Sequence, residues 1–363
     1  MAGSISADGN LRQNPRSRPR WRFASLIVRG MIAITMAIAK PLVWISKSVR
    51  RMIVVVVAIA APMAWISNSA RVQRESVVAI EKAGGRVWYD WEWADGAATD
   101  ELPIWPEWLV KGLGPDYFGN VLSVSFTRRA SDNELIHASN LERLERLDLY
   151  GSGVTDRGLA HLKDLAHLYM LMLVRTKGVD AGLAQLEGMK SLRVLSLQGT
   201  DLTDRGLAHL AGLTELEDLN LESTLVSDAG LTHLTGLSKL RALDLSRTVV
   251  TDEGLTHIKT LTELQELSLG RTKVTDAGLA QLEGMSKLVE LTLDSTEVGD
   301  LGLARIEGLN RITTLSLDRT KVTDDGVARL QLKRADQQAQ QAAAVKAGIQ
   351  PAQATIPGLD IVR

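Results

Sequence analysis

The sequence predicts an α/β fold: a right-handed solenoid with a parallel strand on the concave face of each coil and short helices on the convex face, preceded by a transmembrane helix. Three observations predict it. A Leu-x-Leu phrase returns every 24 residues, at Leu147–Leu149, Leu171–Leu173, Leu195–Leu197, Leu219–Leu221, Leu243–Leu245, Leu267–Leu269, Leu291–Leu293 and Leu315–Leu317. Self-similarity at a fixed period is the signature of stacked coils. An Asp two residues ahead of a Gly keeps step with it, as at Asp156/Gly158, Asp204/Gly206, Asp252/Gly254 and Asp324/Gly326. Finally, Met52 to Ala70 carries no charge, and at about 1.5 Å per residue it covers roughly 28 Å, enough to cross a bilayer core.

Composition bounds the reading. The chain has 363 residues, 45% of them hydrophobic, a net charge of −1 and no cysteine. It is long enough for a sizeable core, and disulfides, a thiolate nucleophile and a cysteine-based zinc site are excluded. The charge is unevenly placed. Before Met52 stand Arg12, Arg16, Arg18, Arg20, Arg22, Arg29, Lys40, Lys47, Arg50 and Arg51 against the single acid Asp8, so the remainder is acidic.

Residues 1–51 read as a basic cytoplasmic arm that ends in a degenerate apolar copy. Met31–Arg50 matches Met52–Arg71 in its Pro, Trp, Ile-Ser and Arg positions, but Arg29 and Lys40 interrupt it. Residues 52–70 then form the span, with Trp65 where an interfacial ring is expected. A cleaved signal peptide would begin earlier, and a two-helix hairpin would carry Lys47–Arg51 to the far side, against the positive-inside tendency. A single pass through the cell membrane keeps every one of these basic residues in the cytoplasm and puts the coils outside it.

Residues 71–120 read as an aromatic cap. Val77, Val78, Ile80 and Ala83 have helical spacing ahead of a Gly-Gly stop, and Val87-Trp-Tyr89 with Trp91 and Trp93 reads as a strand or hairpin arm. The first coil of a solenoid needs its apolar edge covered, and this segment supplies the cover.

Residues 121–330 hold the coils, about nine in all, the first being irregular and built on Val124-Ser-Phe126. In each, the two strand leucines precede a Ser or Thr three residues on (Ser152, Thr176, Thr200, Thr224, Thr248, Thr272, Thr296, Thr320). An inward hydroxyl there is expected to bond the adjacent turn. Leu231 and Leu234 share a helix face, Ser227/Asp228 supply the N-cap and Gly236 the stop. Residues 331–363 form an Ala/Gln-rich extension, either a long helix or disordered, with a closing strand near Ile356–Ile361.

This pattern, L-x-x-L-x-L-x-x-T-x-x-T-D-x-G-L-x-x-L, resembles the leucine-rich-repeat family. The layout of an apolar segment, then Ala-Ile-Glu-Lys-Ala-Gly-Gly85, a Trp/Tyr-rich strand and repeats, resembles membrane-anchored members abundant in planctomycete-type bacteria. The Thr-Asp-x-Gly-Leu form is similar to F-box-type repeats too, but no F-box-like module is present, so a ubiquitin-adaptor role is not implied.

Specificity is expected on the outward strand positions. A polar, mostly acidic trough is formed by Asp148, Tyr150, Asp218, Asn220, Glu222, Asp244, Glu266, Glu290, Asp294 and Asp318, edged by Arg175, Arg247, Arg271 and Arg319. Such a trough suits a basic or mixed-charge polypeptide or a polar glycan, and equally a merely solvated face. Tyr150 stands as its single aromatic anchor. His161, His209, His233 and His257 share one helix position, but with Leu162, Leu210 and Leu234 turned inward the imidazoles face solvent, roughly 10 Å apart, too far for shared ligation. The Asp ladder is attributed to helix capping.

No Ser/His/Asp set, phosphate loop or HExxH motif occurs. The expected function is therefore a non-enzymatic, membrane-anchored binding protein with a protein partner, no catalytic, cofactor or metal site and no nucleic-acid ligand. Two alternatives stand beside it: an envelope scaffold acting by lateral contacts, and an enzyme using Asp90, Glu92, Asp95 and Glu107 in the aromatic cap.

Overall fold

The computed structural model describes residues 67–94, 97–98, 106–126, 130–346 and 358–362. It divides into two units, Met1–Arg71 and Val72–Arg363. Of the first, only 67–71 are described, as helix. Most of the predicted span (52–66) and the whole basic arm lie outside the described residues, and among the described residues no helix is long and apolar enough to cross a membrane.

Helix α1, described over 67–82, includes residues 67–71 and ends within the second unit at a turn whose Gly84 has φ of 81°. Strand β1 (Gly85–Tyr89) follows, then the short pair β2 (Trp93–Ala94) and β3 (Ala97–Ala98), and helix α2 (Glu107–Leu113). Strand β4 (Val121–Phe126) opens the solenoid and pairs antiparallel with β1, Val87 opposite Val124. Its helix α3 (Asp132–Ser139) starts with a capping box, in which Ser131 N–H donates to Glu134 Oε2 at 2.7 Å.

Each later strand has three residues centred on a leucine: β5 (Arg146–Asp148), β6 (Met170–Met172), β7 (Val194–Ser196), β8 (Asp218–Asn220), β9 (Ala242–Asp244), β10 (Glu266–Ser268), β11 (Glu290–Thr292) and β12 (Thr314–Ser316). From β4 on all pairs are parallel, and from β5 to β12 the register advances by one repeat per strand, Leu219 beside Leu243 beside Leu267. Helices α4 (Asp156–Leu159), α5 (Val179–Leu183), α6 (Asp204–Leu207), α7 (Asp228–Leu231), α8 (Asp252–Ile258), α9 (Asp276–Leu279) and α10 (Asp300–Ile306) line the opposite face, most of them a single turn continued by a 3₁₀ turn. They are short, as the repeat leads one to expect, because 24 residues leave room for only a turn or two between strands.

The repeat leucines are closed from water: Leu219, Leu221, Leu231, Leu234, Leu237 and Leu240 of one coil are all 0% exposed. Each contributes about 1.5–3 kcal/mol through burial, and none would be covered without neighbouring coils.

The hydroxyl row follows the expectation only at its start, where the Thr176 hydroxyl donates to the Leu149 carbonyl of the preceding coil at 3.4 Å. Thr200, Thr224, Thr248, Thr272 and Thr296 are buried, but their hydroxyls donate within their own coil, to the carbonyls of Leu197, Leu221, Leu245, Leu269 and Leu293, at 2.6–2.7 Å. The cause is a tight turn. The residue before each Thr has positive φ, for example 58° at Ser223 and Arg271, and this swings the Thr back over the leucine three places earlier.

The Asp ladder differs too. N-caps are supplied by Thr203, Thr251 and Thr275, whose hydroxyls accept from the N–H two residues on. The Asp that follows bonds the next coil instead. Asp204 accepts from the N–H and hydroxyl of Ser227 at 2.8 and 2.6 Å, and Asp252 from those of Thr275 at 2.8 and 2.7 Å. Beyond Thr176 the inter-coil ladder thus runs from carboxylate to hydroxyl and amide on the helix side.

At the end, α11 (Asp324–Lys346) is one continuous helix, and β13 (Asp360–Val362) pairs parallel with β12, Ile361 beside Leu315. At the other end the Tyr89 hydroxyl donates to Asp116 Oδ1 at 2.8 Å, and Gln73 Nε2 donates to the same oxygen at 3.2 Å and to the Gly119 carbonyl at 3.0 Å. Burial, and next the Asp116 charge, pushes the Tyr89 pKa far up. Trp91 stacks on Tyr89 with centroids 4.8 Å apart.

Candidate functional site: the outer face of the sheet

Because side chains alternate along a strand, fixing Leu219 inward fixes Asp218 and Asn220 outward. The in-register sheet lines such residues into two rows. One runs Arg146, Met170, Val194, Asp218, Ala242, Glu266, Glu290, Thr314; the other runs Asp148, Met172, Ser196, Asn220, Asp244, Ser268, Thr292, Ser316. Residues just past the strands, Tyr150, Glu222, Asp294 and Asp318, continue the same face.

The face is not uniform. Its middle and far end are acidic. Asp218 touches water, yet the surrounding wall of the sheet strips hydration from it, and Glu266 and Asp244 repel its charge, so its pKa is pushed up to about 6. Asp244 is raised by loss of hydration and by Glu222 in spite of its hydrogen bonds from Ser246, and Glu266 by loss of hydration and by Glu290. Among the described residues, none of the ion pairs involves Asp218, Asp244, Glu266 or Glu290.

Other acids of the face serve the frame. Asp148 accepts from the Ser125 hydroxyl at 2.9 Å and the Tyr150 N–H at 3.0 Å. Asp294 accepts from the Ser316 hydroxyl at 2.7 Å and the Asp318 N–H at 2.8 Å. The Glu222 N–H donates to Asn220 Oδ1 at 2.9 Å, and the Glu222 carboxylate takes Gln198 Nε2 on one side and Arg247 Nε, 3.4 Å away, on the other.

The rim arginines occupy the left-handed turn position, with φ of 57° at Arg175, 58° at Arg247 and Arg271 and 55° at Arg319. Where other coils place Gly151 or Gly199, these four keep a side chain at a cost of about 1–2 kcal/mol each. Arg175 Nη1 donates to the Tyr150 hydroxyl at 3.0 Å, and Arg319 lies 3.5 Å from Asp318. The structure therefore brings Tyr150 with Arg175 and Glu222 with Arg247, while Arg271 is exposed and in no ion pair among the described residues.

Two features escaped the sequence reading. The first is a second tyrosine: Tyr169 stands half-buried at the entry of β6 with Arg146 over its ring, 5.2 Å from the centroid, next to the half-buried Met170, Met172 and Val194. The signal was the phrase Met170-Leu-Met172, which alternates as a strand but sets sulfur-bearing, not polar, side chains outward. The second is a charge ladder beside the strand entries. Glu217 lies 3.3 Å from Arg193 and 3.4 Å from Arg241, Glu215 lies 2.6 Å from Lys239, and Glu263 lies 2.6 Å from Lys287. Such exposed pairs contribute about 0–1 kcal/mol each and mainly fix coil against coil.

The remaining candidates resolve simply. His209 Nδ1 sits 2.6 Å from Glu187 Oε1 across one coil, and among the described residues no group of His and acids is placed to hold a metal. Of the cap acids, Glu92 accepts the Tyr89 N–H at 2.9 Å, and Asp95 lies outside the described residues.

Residues 188–211 and 236–258 match the family model described as Leucine Rich repeat. Among solved structures, the chain is similar to an internalin C2 from Listeria monocytogenes, with 28% identity over 55% of this chain and 80% of that one and a TM-score of 0.45. It is similar to a second internalin of the same organism, with 21% identity over 54% of this chain and 74% of that one and a TM-score of 0.33. It is also similar to TLR13, solved as a complex with ssRNA13, with 19% identity over 53% of this chain and a TM-score of 0.44, and spans only 31% of that protein. No curated protein matches the chain.

Proposed function

This chain is a leucine-rich-repeat protein, and from that premise we propose that it is a non-enzymatic binding module whose partner is a polypeptide held on the outer face of the sheet. One observation carries the reading. Asp218, Asp244 and Glu266 are crowded on one surface with their pKa values raised and with no ion pair among the described residues. Like charges brought together at a cost in folding free energy are relieved by a cationic partner, and electrostatic complementarity of this kind steers association and sets specificity. The helix face offers less such tension, since Asp180 and the Asp row from Asp204 to Asp300 are bonded by the next coil.

We further propose that Met52–Ala70 anchors the module in the cell membrane by a single pass, with the coils outside the cytoplasm. The support is the sequence: an uncharged stretch of sufficient length, with the basic residues before it.

The binding reading is tested by a variant in which Glu222, Asp244, Glu266 and Asp294 are all alanine, cross-linked in intact cells beside the parent. Loss of the parent's partner cross-links, with a cooperative urea transition that shows the variant folded, supports the reading; retention of the same cross-links sinks it. The topology is tested by reporter fusions after Ala70, where activity of a cytoplasm-only reporter contradicts it.

A further inference from the structure

The sheet face is divided along its length. Outward positions of β6 and β7 are apolar at Met170, Met172 and Val194, whereas those of β8, β10 and β11 include Asp218, Glu266 and Glu290. The apolar end is preorganised. Tyr169 is clamped by Arg146, whose Nε donates to its hydroxyl and whose guanidinium lies over its ring, and Tyr150 is clamped in the same way by Arg175, 5.8 Å from the ring centroid. Methionine adapts to a partner's shape, and Tyr, Met and Arg are the side chains enriched where partners bury surface. An all-leucine repeat has no need of methionines on its wet face, because the core is already closed by Leu171 and Leu195, both 0% exposed.

Building on the binding reading above, we infer that the face takes an extended polypeptide of defined polarity, laid across the strands. One apolar side chain of that polypeptide seats on Met170, Met172 and Val194, and its basic residues meet Asp218, Glu266 and Glu290. The spacing follows from the sheet. Asp218 is two strands and Glu290 five strands from Met170, about 10 and 24 Å at about 4.8 Å per strand. An extended chain at about 3.3 Å per residue spans this when the basic group stands about three to seven positions along from the apolar anchor. The acidic end supplies attraction and approach, and the apolar end supplies register, so a basic segment without the anchor is held only loosely.

The test uses the full chain in mild detergent and four fluorescent synthetic peptides read by anisotropy. The first carries a Leu, a four-residue neutral spacer and three Lys; the second has the Leu replaced by Ala, the third has the Lys replaced by Ala, and the fourth is the first reversed. The expected result is at least tenfold tighter binding of the first than of each of the others. Met170→Ser with Met172→Ser should reduce the first to the level of the Ala-for-Leu peptide. Asp218→Asn with Glu266→Gln should reduce it to the level of the Lys-free peptide, and urea midpoints report that both variants fold. Equal binding of the first two peptides, or of the first and its reverse, overturns the inference while leaving sheet-face binding intact. Failure of all four peptides overturns it too, and the intact-cell cross-links then decide separately whether the face binds a partner of other chemistry.

Discussion

The carboxylate of Asp228 holds Thr251 of the following coil twice over: the Thr251 N–H donates to Oδ1 at 2.8 Å and its hydroxyl to Oδ2 at 2.7 Å. The same carboxylate stands where a Cβ on Gly254 would have to go. The repeated Asp-x-Gly is therefore one device spread over two coils, with the Asp reaching forward and the Gly making room for the Asp that reaches from behind.

Asp228→Ala should lower stability by about 1–3 kcal/mol, since it strips two bonds from partly buried groups. Gly254→Ala should cost more than Gly284→Ala, because a Cβ at Gly284 meets nothing within 4 Å. Urea denaturation of the three variants checks the order; equal midpoints for the two glycine variants would contradict it.

Much of this architecture was legible in the sequence, for a physical reason. A 24-residue period confines strand, turn and helix to fixed places, so Leu147 through Leu317 reveal core and register together. What the sequence hid was partnership across coils. Thr200 and Thr203 look alike as letters, yet one bonds its own Leu197 and the other the preceding coil's Asp180, and only the turn dihedrals separate them. The candidate face was legible as a list of outward residues. Its division into apolar and acidic ends was not, because setting Arg146 over Tyr169 and Val194 beside Met170 depends on neighbouring strands rather than on neighbouring letters.

Asp218 sets a pH dependence. Its folded pKa of about 6 lies above the ordinary 3.8, so the folded state binds this proton more tightly than the unfolded chain. Stability from this group is present below the ordinary value and is lost as pH rises through about 6. Asp132 has the opposite sign. Loss of hydration raises its pKa, but hydrogen bonds from Thr155 and Gly158 outweigh that and hold it below 3.8, so its contribution is present above that value and is lost on acidification. Asp218→Asn should be more stable than the parent at pH 7.5 and should flatten the fall between pH 4 and 6. Urea midpoints across that range measure it, and a parent advantage at pH 7.5 would contradict the assignment.

Arg271 holds φ of 58° without an ion pair among the described residues. Arg271→Gly should therefore raise stability by about 0.5–1 kcal/mol, the left-handed penalty less the entropy glycine adds to the unfolded chain. Arg247→Gly should gain less, since Arg247 also meets Glu222 at 3.4 Å. Thermal denaturation of both resolves the difference.

The strand β13 closes the far edge, with the Leu317 N–H donating to the Val362 carbonyl at 2.9 Å and the Asp360 N–H to the Thr313 carbonyl at 2.6 Å. Ending the chain after Lys346 should speed hydrogen exchange at Leu317 while leaving Leu221, deep in the stack, protected. Uniform acceleration would show instead that the last strand holds the whole solenoid.

The most direct measurement is cross-linking mass spectrometry in intact cells that carry the full chain. The account predicts that partner cross-links fall on the outer face of the sheet and its rim, within reach of Tyr150, Asp218, Glu266 and Glu290, and disappear in the four-alanine variant. Cross-links confined to the helix face around His161, His209 and His257, joining copies of this chain to one another, would contradict it and favour a scaffold built by lateral contact.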